Sequence, residues 1–323
     1  MVFLRSVEKR DFRAVLALAK ELNSYNLPFD RRMIRNLIET SIRSFQGKVP
    51  RTKAKYLFVI EDYPSKEIFG ASLVIAQQGT SQSPHIYFEK DRSYLKFGAT
   101  KDGPTEIGGL VLKRPYRRRK EKFGKQLSWV RFLYMALHPE RFGKRVLAEF
   151  LPPLKKGKGS LFWDALGRRF TGLSYREADR LSVYTKEFVF DLFPKKVTIA
   201  FLPKRVQWLL GEVAPEARPA CRMLKQIGFH QTTRIEPFDG GPYYEAERRK
   251  IAVIRRIQKA SFQGKSGRIK RGQQTLLFLE QKGKVRACVG MSQSRKGKLF
   301  LDDITEKLLK SKEGQTILYV SFD

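Results

Sequence analysis

The spacing of apolar residues changes period between residues 42 and 56, and that change limits the fold more than any other feature of the chain. Before it, Phe12, Val15, Leu16, Ala19 and Leu22 recur three and four apart, one face of a helix. After Asn26-Leu27-Pro28 the pattern repeats in Met33, Ile34, Leu37, Ile38 and Ile42, with Asp30 placed to cap the second helix. Beyond residue 56 the runs are β-rich: 56–60 and 68–76, joined by Glu61-Asp62-Tyr63-Pro64-Ser65 as a hairpin with a longer turn. Further strand candidates are 85–88, 107–112 and 145–150, and a long helical pattern covers about 121–137. With a short strand at 2–5, the order is β-α-α-β-β-β-β-α-β. That order predicts an α/β (α+β) fold: a mixed, mostly antiparallel sheet with helices on both faces.

The remainder divides by composition. Residues 155–159 (Lys-Lys-Gly-Lys-Gly) read as a loop, and short helical patterns follow to about 228. From 251 the chain is β-rich, at 275–279, 284–290, 299–301 and 316–322, with a short helix at 304–309. The Gly-, Lys-, Arg- and Gln-rich stretch 263–274 reads as a mobile linker or exposed loop. We therefore expect a domain over 1–245 with a helical insertion at 155–228, and a small β-rich C-terminal subdomain over 246–323.

Two cysteines and three histidines are too few for a disulfide framework or a Cys/His zinc site, so no metal is expected. The N-terminus becomes charged within its first residues, and the apolar stretch 132–137 is far too short to span a bilayer. The expectation is a soluble, cytoplasmic protein without a membrane span. Sixty-five Lys and Arg against 32 Asp and Glu give a net charge of +33, spread along the chain. Such a field attracts polyanions: nucleic acid, an anionic membrane, or a phosphate-rich cofactor.

One segment gives that field a chemical focus. The strand candidate Glu106-Ile107-Gly108-Gly109-Leu110-Val111-Leu112 runs into a basic turn and then a helix, and eight of the thirteen residues 113–125 are Lys or Arg. Free N–H groups of a first helical turn, together with the helix dipole, favour an anion there. A cofactor carrying several phosphates, such as CoA, suits this arrangement. The turn equally suits nucleic acid, with Tyr116 and Phe123 as stacking residues. Arg119-Lys120-Glu121-Lys122-Phe123-Gly124 resembles the acyl-CoA loop of the GNAT-type N-acetyltransferase fold, Arg/Gln-x-x-Gly-x-Gly/Ala, with Lys122 in place of the first glycine. That resemblance makes Leu110, Val111, Arg119, Lys122, Phe123, Gly124 and Lys125 the candidate cofactor-binding residues.

Longer stretches resemble the arginine N-succinyltransferase family. Ser160-Leu161-Phe162-Trp163-Asp164-Ala165-Leu166-Gly167-Arg168-Arg169-Phe170 is similar to that family's Ser-Pro-Phe-Trp-x-x-Leu-Gly-x-Arg-Phe. It continues through Ala178-Asp179, the Gly211–Ala220 stretch, Ile227-Gly228-Phe229 and Phe238-Asp239-Gly240-Gly241-Pro242. The resemblance covers roughly residues 1–256. It implies an acyl-CoA N-acyltransferase-like fold in which an amine attacks the thioester of succinyl-CoA or another acyl-CoA. The implied partners are that thioester and a small arginine-like amine, in a homo- or hetero-oligomer.

The chain departs from the family at the proton donor. The family's proposed histidine stands directly before the proline of its Gly-x-Val-x-Pro run, where this sequence has Ala214. The tyrosine that serves as acid in the wider fold aligns near Leu224. His230, Tyr244 and Glu106 are the remaining catalytic candidates, and Glu106 and Asp239 offer negative charge to a guanidinium or amine. Leu22-Asn23-Ser24-Tyr25 replaces a Gly/Thr/Ser-rich turn of the family, and the segment before the acyl-CoA strand is shorter by around a dozen residues. A second reading follows from Ala214 and the charge: a degenerate acyltransferase fold that binds nucleic acid or another polyanion.

Overall fold

The computed structural model describes every residue except 23–25, 155–158, 183–184, 266–268, 270–271 and 323. The described strands are β1 (Val2–Ser6), β2 (Lys55–Asp62), β3 (Ile68–Ile75), β4 (His85–Lys90), β5 (Tyr94–Thr100), β6 (Thr105–Leu112), β7 (Arg145–Glu149), β8 (Lys196–Thr198), β9 (His230–Ile235), β10 (Pro242–Glu247), β11 (Gln258–Lys265), β12 (Gln273–Gln281), β13 (Lys284–Arg295), β14 (Lys298–Leu301) and β15 (Thr316–Ser321). The helices are α1 (Phe12–Leu22), α2 (Arg31–Phe45), α3 (Phe123–Leu137), α4 (Leu161–Ala165), α5 (Gly167–Thr171), α6 (Tyr175–Ser182), α7 (Glu187–Leu192), α8 (Lys204–Leu209), α9 (Arg218–Gln226), α10 (Ala252–Arg256) and α11 (Asp303–Leu309). Two compact units result: 1–76, 107–142 and 252–323 form the first, and 77–106 and 143–251 the second.

In the first unit the strands follow the order β12-β15-β11-β14-β13-β1-β2-β3-β6. Strand β2 sends alternate side chains to opposite faces, as a pleated strand must. Leu57 and Val59 pack with Val15, Leu18, Ile34 and Ile38 of α1 and α2. On the other face Tyr56 and Phe58 meet Tyr134 of α3, at ring-centroid distances of 4.9 and 5.7 Å. The two helices predicted from the early period thus cover one face, and α3 covers the other. Asp30 caps α2 as expected, accepting from the Met33 amide at 2.8 Å. At the start of the sheet, buried Arg5 is held between two acids. Its Nη1 and Nη2 donate to Asp11 at 2.7 and 2.8 Å, and its Nε donates to Glu61 at 2.6 Å.

Strand β12 pairs with β13 as well as β15, so β12, β15, β11, β14 and β13 close into a five-stranded ring. Its pairs are antiparallel except β11 with β14. The separate subdomain expected over 246–323 differs from this arrangement. Strand β13 is hydrogen-bonded to β1, with Leu4 opposite Ala287, and Phe3 of β1 shares the ring's core with Leu308 and Leu309. The apolar spacing does not predict strand β11, because Gln258–Lys265 carries few apolar residues. The linker expected at 263–274 is strand at both ends, 263–265 and 273–274; its residues 266–268 and 270–271 lie outside those described. Most of the loop expected at 155–159 and of the Leu22–Tyr25 departure lies outside them too.

The second unit has the order β7-β10-β9-β4-β5-β8, antiparallel throughout. Thr105 and Glu106, the first residues of β6, pair in parallel with Val146 and Leu147. The apolar spacing does not predict strand β5 either, which carries Lys96 and Gly98; a Cβ at Gly98 would come within 2.6 Å of the Tyr87 ring. Helices α4 to α9 occupy the stretch read as helical. Trp163 stacks on Phe238, centroids 5.0 Å apart and planes 6° from parallel, and its Nε1 donates to Leu173 O at 2.9 Å. The Ser160–Phe170 and Phe238–Pro242 motifs therefore meet as core. No described helix is long and apolar enough to cross a membrane.

Candidate functional site

The first unit presents the strand, basic turn and helix. Within β6, Gly109 has φ +56°, a backbone that side chains rarely adopt. A Cβ on Gly108 would fall 2.3 Å from the Asn26 amide nitrogen, so the backbone and that side chain are in close contact. Leu110 is half-buried, whereas Val111 is buried in the core with α1 and α2, which leaves its backbone to offer a ligand.

The turn is anchored beneath its charges. Tyr116 stacks on Phe69 at 3.9 Å, and Phe123 meets the same ring edge-on at 5.1 Å. Both rings, expected as stacking platforms for bases, are thus packed on the protein itself. Lys113 Nζ and Tyr116 Oη each donate to Glu67 at 2.7 Å, and the Lys113 bond leads in holding Glu67 below the usual carboxylate range. Arg119 is exposed, with its Nε donating to Pro115 O at 2.8 Å. Lys122 caps α3 in the left-handed region, φ +53°, without a side-chain bond to the helix. Gly124 would bring a Cβ to 3.7 Å from Leu112 only, so packing does not demand glycine there. Lys125 Nζ lies 4.4 Å from the Trp129 ring centroid and 4.7 Å from that of Phe322.

In the second unit the strand register sorts the catalytic candidates. Glu106 lies opposite Leu147, Leu147 opposite Glu245, and Glu245 opposite His230. Directly opposed residues share a face, so Glu106, Glu245 and His230 stand on one side. Tyr244 pairs with Gln231 and stands on the other side, its Oη donating to Gln231 Oε1 at 3.1 Å. Burial raises the Tyr244 phenol above its ordinary value. The three candidates are therefore not brought together: His230 is exposed, and Glu106 is buried and accepts from Gln78.

On the Glu106 face lies a group that sequence reasoning missed. Tyr243 is opposite Glu149, and the His85 ring stacks on Tyr243 at 5.5 Å. His85 Nε2 is 3.2 Å from Glu149 Oε1, while its buried Nδ1 has no partner among the described residues. Burial pushes His85 down to about 4, so its ring is neutral at physiological pH. Burial pushes Glu149 up to about 7, against the pull of Lys186. Asp239 is likewise pushed up to about 7 by burial, although the Gly241 amide donates to it at 2.7 Å. Burial, then Asp239, raises Glu236 well above its ordinary value. Lys186 is lowered by burial, and its Nζ donates to Pro84 O at 3.1 Å. No short motif signals this set, because it is drawn from β4, β7, α6–α7 and the β9–β10 turn.

Neither alternative position carries a proton. Ala214 is buried in the turn before α9, its amide donating to Leu151 O at 2.9 Å, and Leu224 is buried in α9.

A family model described as arginine N-succinyltransferase beta subunit matches residues 2–253. The arginine N-succinyltransferase of Citrobacter koseri is 30% identical over 275 residues, 79% of this chain and 79% of that one. The same enzyme from Shigella dysenteriae is 30% identical with the same coverage. A solved structure, the arginine/ornithine succinyltransferase subunit AI from Pseudomonas aeruginosa, matches with a TM-score of 0.86 at 27% identity, covering 99% of this chain and 98% of that one.

Proposed function

The chain belongs to the arginine N-succinyltransferase family, and from that premise we propose that it transfers the succinyl group of succinyl-CoA to an amino group of arginine or a similar cationic amine. It is an acyltransferase whose co-substrate is a CoA thioester. The observation that carries the reading is strand β6, with its left-handed Gly109, leading through a basic turn into α3, within a segment that matches this family.

In the reaction the amine nitrogen attacks the thioester carbonyl carbon, the C–N bond forms, and the C–S bond breaks to release the CoA thiolate. Three needs follow: a deprotonated amine, donors for the developing oxyanion, and binding of the CoA phosphates. We assign the phosphates to the α3 N-terminus with Arg119 and Lys122, and the oxyanion to a backbone N–H of β6 near Leu110. The proton that the amine nitrogen gives up leaves to solvent. With Ala214 in place of the family histidine, the thiolate departs without a proton from that position. A missing acid typically costs about 10²–10⁴-fold in rate, which slows turnover without abolishing it.

The family match favours this reading over a degenerate polyanion binder. The descriptions of the matched family and structure as subunits support an oligomer. A CoA-release assay with succinyl-CoA and a panel of amines, arginine first, tests the proposal. Saturable release with arginine is expected; no release with any amine, and no calorimetric binding of succinyl-CoA at millimolar concentration, would sink it.

A further inference from the structure

Among the described residues, the first unit holds two buried arginines, and they are treated differently. Arg5, 4% exposed, is clamped by the carboxylates of Asp11 and Glu61. Arg131, on α3 and 2% exposed, forms no ion pair with any described residue. Its Nε donates to Ser128 O at 3.2 Å, its Nη2 to Ser128 Oγ at 3.0 Å, and its Nη1 reaches Gly108 O at a long 3.5 Å. A guanidinium has five N–H donors in a planar fork, so these contacts occupy only part of it and neutralise none of its charge. Burial alone lowers its proton affinity, to about 9, with no anion to oppose the fall. Holding a cation out of water without a counter-charge is unfavourable, so an anion that enters here gains what the protein does not supply.

The position of Arg131 says which anion. Gly108 belongs to the irregular stretch of β6 beside the left-handed Gly109, the strand to which the thioester carbonyl is assigned above. An acyl chain on that carbonyl needs only two methylene groups before its second carboxylate. We propose that Arg131 is the specificity-determining residue of the acyl site, binding the free carboxylate of a dicarboxylic monothioester through its guanidinium fork. This rests on the succinyl-CoA reading and deepens it. A monocarboxylic thioester leaves the cation unpaired, so it is rejected by desolvation as well as by lost attraction.

The test compares succinyl-CoA with butyryl-CoA, equal in carbon count but uncharged at its end, and with acetyl-CoA, in the wild type, Arg131→Met and Arg131→Lys. For Arg131→Met the inference expects kcat/KM with succinyl-CoA to fall about 10²–10³-fold, with butyryl- and acetyl-CoA unchanged or improved. Arg131→Lys, which keeps the charge and loses the fork, should lie between. In thermal shift without acceptor, succinyl-CoA should raise the wild-type midpoint more than butyryl-CoA does, and Arg131→Met should lose that excess. Parallel loss with all three thioesters would overturn the inference and make Arg131 a brace for the β6 backbone at Gly108. If Arg131→Met does not fold, an unchanged thioester ratio in Arg131→Lys overturns it equally. Failure of the underlying reading looks different: the wild type itself would then not prefer succinyl-CoA.

Discussion

Tyr116 lies flat against Phe69, ring centroids 3.9 Å apart and planes 15° from parallel, while its hydroxyl donates to Glu67. One side chain thereby ties the basic turn to the strand β3 and to the turn before it. Removing it in Tyr116→Ala should cost about 1–2 kcal/mol of stability, the worth of an aromatic pair and a surface hydrogen bond to a carboxylate. If the turn receives the CoA phosphates, KM for the thioester rises severalfold with kcat little changed. Steady-state kinetics with the thioester varied at saturating acceptor checks this.

His85 gives stability a pH dependence of known sign. Its folded value, about 4, lies below the ordinary 6.5, so between those limits the unfolded chain binds the proton and the folded chain does not. The stability from keeping the ring neutral is present above 6.5 and is lost as pH falls toward 4, by about 3 kcal/mol in all. The raised carboxyls Glu149, Asp239 and Glu236 pull the other way over the same window, so the His85 contribution is read as a difference. Denaturant unfolding of the wild type and His85→Asn at several pH values should show the stability of the wild type relative to the variant falling as pH drops from 6.5 toward 4.

Ala214→His restores the family's residue type at a buried turn. A gain of at least about tenfold in kcat is expected where proton delivery to the thiolate limits the rate, with a change in the solvent isotope effect. A variant that folds normally but turns over at the wild-type rate would show that the departing thiolate needs no acid there.

Trp163 fills the core of the second unit against Phe238 and Phe193. Trp163→Ala should cost about 3–5 kcal/mol, measured by denaturant unfolding, which marks the tryptophan of the Ser160–Phe170 motif as structural.

The helices α1 and α2 and the hairpin β2–β3 were legible because each buries one periodic face. The same held for β6 and α3, where the composition is extreme. What periodicity could not show were strands with few apolar residues, β5 and β11, and relationships set by strand register. His230 and Tyr244 are both ionisable residues near one end of the sequence motif, yet β9 and β10 place them on opposite faces. Glu149 and His85 were legible only as strand residues, since their meeting depends on β4 and β7 being folded. Arg131 did carry a signal, an arginine between Val130 and Phe132 in an otherwise apolar helix stretch. That no described carboxylate pairs with it is a fact of packing.

The pairing of β1 with β13 has a consequence for synthesis. A chain emerging from the ribosome makes residues 2–6 long before their hydrogen-bonding partners near 286. Through most of translation one edge of β1 stays unpaired, a template open to other strands. Closing the five-stranded ring supplies that partner, so the late-made segment acts as the nascent chain's edge guard. Its arrival, more than the formation of the early helices, sets when the first unit ceases to be prone to aggregation.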